Sequence, residues 1–198
     1  MTLSLPILLR LAWDSVRTPR TAAQMVMGIN LPRAARWEAL LALVLIGTVL
    51  AIAITFLFTG NLVMYLGVIA VSPYVAAIIS ASASVISVFA IYWIGHTLGG
   101  KGGFDDAILL VAWTQFVVIC MQLAQLAAFL LLPGMSILVE IAASLISIWI
   151  LTNFIAELHG FKSLTKVFLM MLVTLFGLAF GVSLILAIIG ISVPGVTP

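Results

Sequence analysis

The sequence predicts an all-α fold: a polytopic membrane bundle of five transmembrane helices preceded by a short amphipathic N-terminal helix. Three observations carry this. Residues are 65% hydrophobic and only 7% charged, against about 25% charged in an ordinary soluble domain. The apolar residues gather into five runs, each long enough at about 1.5 Å per residue to cross a hydrocarbon core of about 30 Å. The 8 Lys and Arg residues all fall in segments that five crossings put on one side of the membrane. In 198 residues, at about 20 per crossing, there is room for one membrane domain and no separate soluble one. Its parts are a cytoplasmic amphipathic segment over 1–34, the bundle over 35–191 and an external tail over 192–198.

Residues 4–16 place Leu5, Leu8, Leu9, Ala12, Trp13 and Val16 on one helical face and Arg10, Asp14 and Arg17 on the other. That pattern describes a helix lying on a membrane surface, with Trp13 at the headgroup boundary and Pro19 ending it. Polarity is mixed over 21–30, and Leu31-Pro32 restarts a helix. The spans follow at 35–58, 73–95, 107–132, 135–156 and 167–191. The uncharged connection 59–72 belongs at the outer interface and ends in Ser72-Pro73, a capped helix start. Pro133-Gly134 is a tight turn that makes the third and fourth spans antiparallel neighbours.

Arg10, Arg17, Arg20, Arg33 and Arg36 precede the first span, Lys101 follows the second, and Lys162 and Lys166 follow the fourth. The segments on the opposite face hold no Lys or Arg, which by the positive-inside rule puts the N-terminus in the cytoplasm and the C-terminus outside. The expectation is a multi-pass protein of the cell inner membrane. The pI near 9.0 therefore reports topology rather than nucleic-acid binding, since no basic cluster interleaved with aromatics sits on a soluble surface. The single cysteine, Cys120, lies in an apolar run. Arg10 interrupts the first short apolar stretch, so no secretory signal is read there.

The polar break around which the chain is organised is residues 96–106. It contains His96, Gly99, Gly100, Lys101, Gly102, Gly103, Phe104, Asp105 and Asp106. Such a segment cannot cross hydrocarbon. It is expected to turn between two spans in water or the headgroup layer, with Asp105 or Asp106 capping the next helix. With Glu157, His159 and Lys162 from the other basic loop it forms a candidate cytoplasmic contact surface. Two histidines near carboxylates invite a metal, but no HxxxH or HExxH spacing supports one. The glycines also lack the GxxxxGK[ST] pattern of a phosphate loop. With no nucleophile set beside a base, the chain reads as a non-enzyme without cofactor.

Inside the spans, polar residues recur at helical spacing: Ser80, Ser84 and Ser87, then Gln115, Gln122 and Gln125, then Glu140, Ser144 and Ser147. Lipid satisfies none of these groups, so the stripes are expected to face one another as interhelical hydrogen bonds, or to line a path for a small ion or solute. Glu140 is the one intramembrane acid among them, with Gln122 or Gln125 as its expected partner. Gly177 and Gly181 form a small-xxx-small pair, expected to meet another helix backbone in this bundle or in a second copy.

Five spans, a short amphipathic N-terminus and the run from Gly99 through Lys101, Phe104, Asp105 and Asp106 to Ala107 together resemble the Yip family, the Ypt/Rab-interacting membrane proteins, in its short bacterial form. The run Glu157-Leu-His-Gly-Phe-Lys-Ser163 resembles that family's fourth-span end and inner loop. Where longer eukaryotic members carry DLYGP, this chain has Asn30-Leu-Pro-Arg33, and Trp113 stands at a common tyrosine position. The resemblance implies a five-span fold and a membrane-organising scaffold or adaptor role. The partners it suggests are membrane lipids and another membrane protein or a second copy. A topology reporter fused after Pro198 is expected to be active only in its extracytoplasmic form; cytoplasmic activity there would remove the five-span reading.

Overall fold

The structure, a computed structural model, describes residues 4–62, 64–66 and 69–188, with side chains described outside 64–66, 69–70, 133, 136–137 and 182–188. Seven α-helices follow in order: α1 Leu5–Arg17, α2 Pro19–Met27, α3 Arg33–Thr59, α4 Pro73–Thr97, α5 Phe104–Leu131, α6 Ser136–His159 and α7 Leu164–Ile188. The last five are long and apolar enough to cross a membrane, so the chain is an all-helical, multi-pass membrane protein. The far end of the fifth expected span and the tail over 192–198 lie outside the described residues.

Helix α5 is the axis, packed against α3, α4 and α6. Every residue from Ala107 to Trp113 is buried. By contrast 6% of the α7 span is buried against 44% of the α5 span, which leaves α7 at the periphery beside α6. Exposed leucine, isoleucine and phenylalanine on the outer faces, such as Leu45, Ile78 and Phe176, are what a helix offers to lipid.

The spans match the sequence expectation except at the basic end, where α5 begins earlier and α6 runs on through His159. Asp105 and Asp106 sit in the first turn of α5, where the helix dipole favours acids. Neither is the cap: Gly103 occupies that position and no side chain caps it. Ser72 does cap α4, accepting from the Val75 amide at 3.4 Å. The connection between α3 and α4 contains a short antiparallel hairpin, Met64–Leu66 against Ile69–Val71, paired Tyr65 to Ala70. A 3-10 turn over Pro133–Met135 joins α5 to α6.

The larger departure is at the N-terminus. The stretch of mixed polarity over 21–30 is helical as far as Met27: α2 buries Ala22, Ala23 and Val26 completely against the ends of α5 and α6. Helix α1 splits its apolar residues between two environments. Leu11, Ala12 and Ser15 are buried, while Leu5, Leu9 and Trp13 stay exposed, Trp13 at 60%. The Trp113 indole N–H donates to Ser15 Oγ at 2.9 Å, and that hydroxyl donates to the Leu11 carbonyl at 2.8 Å. Arg20 donates to the Phe161 carbonyl at 3.2 Å, and Gln24 donates to Glu157 Oε1 at 2.6 Å. The amphipathic helix is therefore docked on the bundle by one face and free to touch headgroups with the other. Ser15→Ala strands the buried Trp113 N–H, a loss of about 1–3 kcal/mol. It should lower the melting temperature in detergent and expose 1–30 to protease; unchanged protection would contradict this docking.

Candidate functional site: the glycine-histidine lock at the basic end

At the basic end the last residue of α6, His159, is only 3% exposed. Its Nε2 donates to the Ile91 carbonyl of α4 at 3.0 Å, and its Nδ1 accepts the Gly102 amide at 3.2 Å. Those two bonds define a neutral imidazole protonated on Nε2. They leave it no lone pair for a metal. The Gly102 carbonyl accepts in turn from His96 Nε2 at 2.9 Å, so the two peptide units that flank the Gly102 Cα are each held by an imidazole.

The glycines explain how the ring gets in. A Cβ built on Gly95 or Gly100 would collide with the His159 ring, and one on Gly102 would lie 2.6 Å from Leu158 Cγ and 2.9 Å from His159 Cε1. Gly99 serves a different purpose: its φ of +87° turns the chain out of α4, and a Cβ there meets nothing. Gly160, at φ +71°, ends α6 in the same left-handed way.

Around this lock the charges pair. Arg33 holds Asp105 in a two-pronged contact, Nη2 to Oδ2 at 3.1 Å. Arg36, 9% exposed, donates to Asp106 Oδ1 at 3.1 Å and to the Leu31 carbonyl at 2.9 Å. These pairs fasten the start of α3 to the start of α5. Phe104 fills the corner between them, its ring 5.2 Å from Phe89 and 5.3 Å from Tyr92.

The expected contact surface is thus divided. Gly100, Gly102 and His159 are buried and belong to no exposed surface, because the glycine cradle draws the histidine inward. Phe104, Asp105, Asp106 and Glu157 are turned to internal partners. His96, Gly99, Lys101, Gly103 and Lys162 remain exposed. Sequence reasoning missed Ser15, Arg20, Gln24 and Tyr92. Pro19 followed by Ala22, Ala23 and Val26 at helical spacing was the available signal for the helix that carries Arg20 and Gln24.

Within the membrane the polar stripes meet only in part. Gln115 donates to Ser84 Oγ at 3.2 Å, joining α5 to α4. With Thr48, Ser80, Ser87 and Gln122 they line a cleft of about 320 Å³ among α3, α4 and α5. Gln122 Oε1 is buried without a hydrogen-bond partner among the described residues. The third stripe joins neither of the other two: Ser144 and Ser147 donate to carbonyls of their own helix, as serines in helices commonly do, and Ser147 Oγ also lies 3.7 Å from Met121 Sδ of α5. Glu140 is exposed, and no hydrogen bond links it to Gln122 or Gln125 among the described residues. It lies near the N-terminal end of α6 and does not line the cleft. A Cβ on Gly177 or Gly181 finds open space among the described residues, so no close helix contact is seen there within them.

The fold and this end of it define a five-span membrane protein whose loops at the basic end interlock. A family model, the Yip1 domain, matches residues 13–187, and the chain belongs to that family. No curated protein and no solved structure matches it.

The lock separates two kinds of glycine experimentally. Gly95→Ala must displace the His159 ring and should cost about 1–3 kcal/mol in overpacking, plus the two imidazole bonds. Gly99→Ala meets no atom and should lose only the left-handed penalty of about 1–2 kcal/mol. Adding His159→Ala should recover part of the Gly95→Ala loss in melting temperature but none of the Gly99→Ala loss. Equal rescue of both would refute the cradle.

Proposed function

We propose that this Yip1-domain protein is a non-enzymatic scaffold or adaptor of the cell inner membrane, working through its basic end, with the N-terminus cytoplasmic and the C-terminus outside. The observation that carries the reading is the division of charge at that end. Arg33, Arg36, Asp105, Asp106 and His159 are spent on holding the helices together. Arg10 and Lys101 project from the resulting platform without ion pairs among the described residues. A stiff base presenting exposed cations and the free face of α1 suits contact with an acidic partner at the anionic leaflet, where each Lys or Arg gains about 1 kcal/mol. Covalent chemistry finds little support: both histidines are engaged in structural bonds, and the serine hydroxyls Ser84, Ser87 and Ser147 donate to carbonyls of their own helices. A membrane-embedded partner or second copy would fit α7, where Gly177 and Gly181 lie open.

The test is capture from gently solubilised membranes with Arg10→Glu/Lys101→Glu beside the unaltered chain and Glu140→Gln. A protein held by the unaltered chain and by Glu140→Gln, and lost from the double variant, is the expected result; identical captured sets would contradict the adaptor reading.

The midplane cleft favours a second reading, a small permease. Thr48, Ser84 and Gln115 lie near the middles of their helices, and the unpartnered Gln122 Oε1 asks for a donor. All these groups are neutral, which suits a small uncharged hydroxylated solute or water better than an ion. In reconstituted vesicles, glycerol flux abolished by Gln122→Leu and untouched by Glu140→Gln would support this reading over the scaffold. No flux above empty vesicles would remove it.

A further inference from the structure

We infer that the chain holds one anionic phospholipid between α4 and α7, headgroup at Lys162 and Lys166 and one acyl chain in the groove beneath. The inference does not depend on the adaptor reading, which uses other residues. Two clefts meet on this side of the bundle. The upper one, about 810 Å³, opens at the basic end between Thr97 and Leu98 at the end of α4, Lys162 and Ser163 of the turn after α6, and Lys166 in the first turn of α7. The lower one, about 360 Å³, runs down between α4, α6 and α7 and is walled by apolar side chains such as Ile91, Leu151, Ile155 and Leu175. Ile94, Met170 and Thr174 line both, so the two form one continuous groove.

The chemistry changes along it as a phospholipid does. At the mouth stand two ammonium groups and two hydroxyls. Lys162 and Lys166 are exposed and have no ion-pair partner among the described residues, whereas Arg33 and Arg36 at the same end are both paired with aspartates. Below the mouth the lining is almost wholly hydrocarbon. From Thr97 to Ser87 the groove descends ten residues of α4, about 15 Å at the helical rise, or half of a hydrocarbon core of about 30 Å. That is the depth of one leaflet and the reach of one acyl chain.

The peripheral position of α7 gives the groove its shape. The helix packs chiefly on α6 and buries little of itself, leaving the α4 side open. Basic pockets between transmembrane helices are the usual places for anionic headgroups, and here the pocket continues into a slot that a soluble phosphate has no use for. The open groove thus commits to a lipid by charge at one end and by depth and apolarity along the rest.

The full chain purified in detergent is titrated with dioleoylphosphatidylglycerol, dioleoylphosphatidylcholine or glycerol 3-phosphate. Bound lipid is counted by native mass spectrometry and thermal stability is followed in parallel. One phosphatidylglycerol retained per chain with a raised melting temperature is expected, and little effect from the other two. Lys162→Gln/Lys166→Gln should weaken phosphatidylglycerol retention at least about tenfold, and Lys162→Arg/Lys166→Arg should keep it. Thr174→Trp, which fills the junction of the clefts, should weaken retention with the lysines intact. Equal retention of phosphatidylcholine, protection by glycerol 3-phosphate as strong as by the lipid, or indifference to the Lys→Gln pair would each overturn the inference.

Discussion

The backbone of Gly102, gripped by His159 on its amide and by His96 on its carbonyl, is the contact on which the basic end of this bundle depends. A buried imidazole with two satisfied nitrogens is a strong positional constraint, because each bond lost would leave a polar group stranded in a weakly polar interior. The ring reaches that place only because three positions around it lack a Cβ. Through it the last residue of α6 touches α4 at Ile91 and the loop before α5 at Gly102. Three spans are thereby closed at a single point.

Once that point is closed, the remaining polar groups have defined partners. The lock sets the start of α5, which brings Asp105 and Asp106 to Arg33 and Arg36 at the start of α3. The end of α6 offers Glu157 to Gln24 and the Phe161 carbonyl to Arg20, and α2 is seated. Exposed salt bridges contribute little alone, so Arg33 with Asp105 acts as a positioning contact, while the nearly buried Arg36 has more to lose. The basic end is stiff and interlocked. Across the membrane α7 is loosely placed, and the groove between it and α4 exists because nothing of comparable specificity draws the two together.

Much of the fold was legible in the sequence because hydrocarbon imposes one rule on every residue. Five apolar runs and a one-sided distribution of Lys and Arg settle the spans and their mutual direction without any knowledge of packing. The site was legible in location but not in sense. The run from His96 to Asp106 drew notice through its glycines and charges, qualities that an exposed loop and a cradle share. Which glycine serves a turn, as Gly99 does, and which makes room, as Gly95, Gly100 and Gly102 do, depends on a histidine 57 residues from Gly102 in the chain. Asp105 and Asp106 were readable as helix-start acids, yet their partners lie 70 or more residues earlier. The polar stripes show the same limit: helical spacing marks Ser84, Gln115 and Glu140 alike, and only tertiary packing sends Glu140 outward. For Gly177 and Gly181 the motif describes a surface able to pack closely, and no helix among the described residues packs on it.

The central claim is that the His159 lock holds the basic end together, and hydrogen–deuterium exchange of the full chain in detergent tests it most directly. In the unaltered protein the Gly102 amide should exchange slowly despite lying in a loop outside any helix. In His159→Ala, protection should vanish at Gly102 and fall across 98–106 and α2, while the halves of α3 and α4 away from the basic end keep theirs. Rapid exchange of Gly102 in the unaltered protein, or a His159→Ala variant with undisturbed protection over 98–106, would contradict the account.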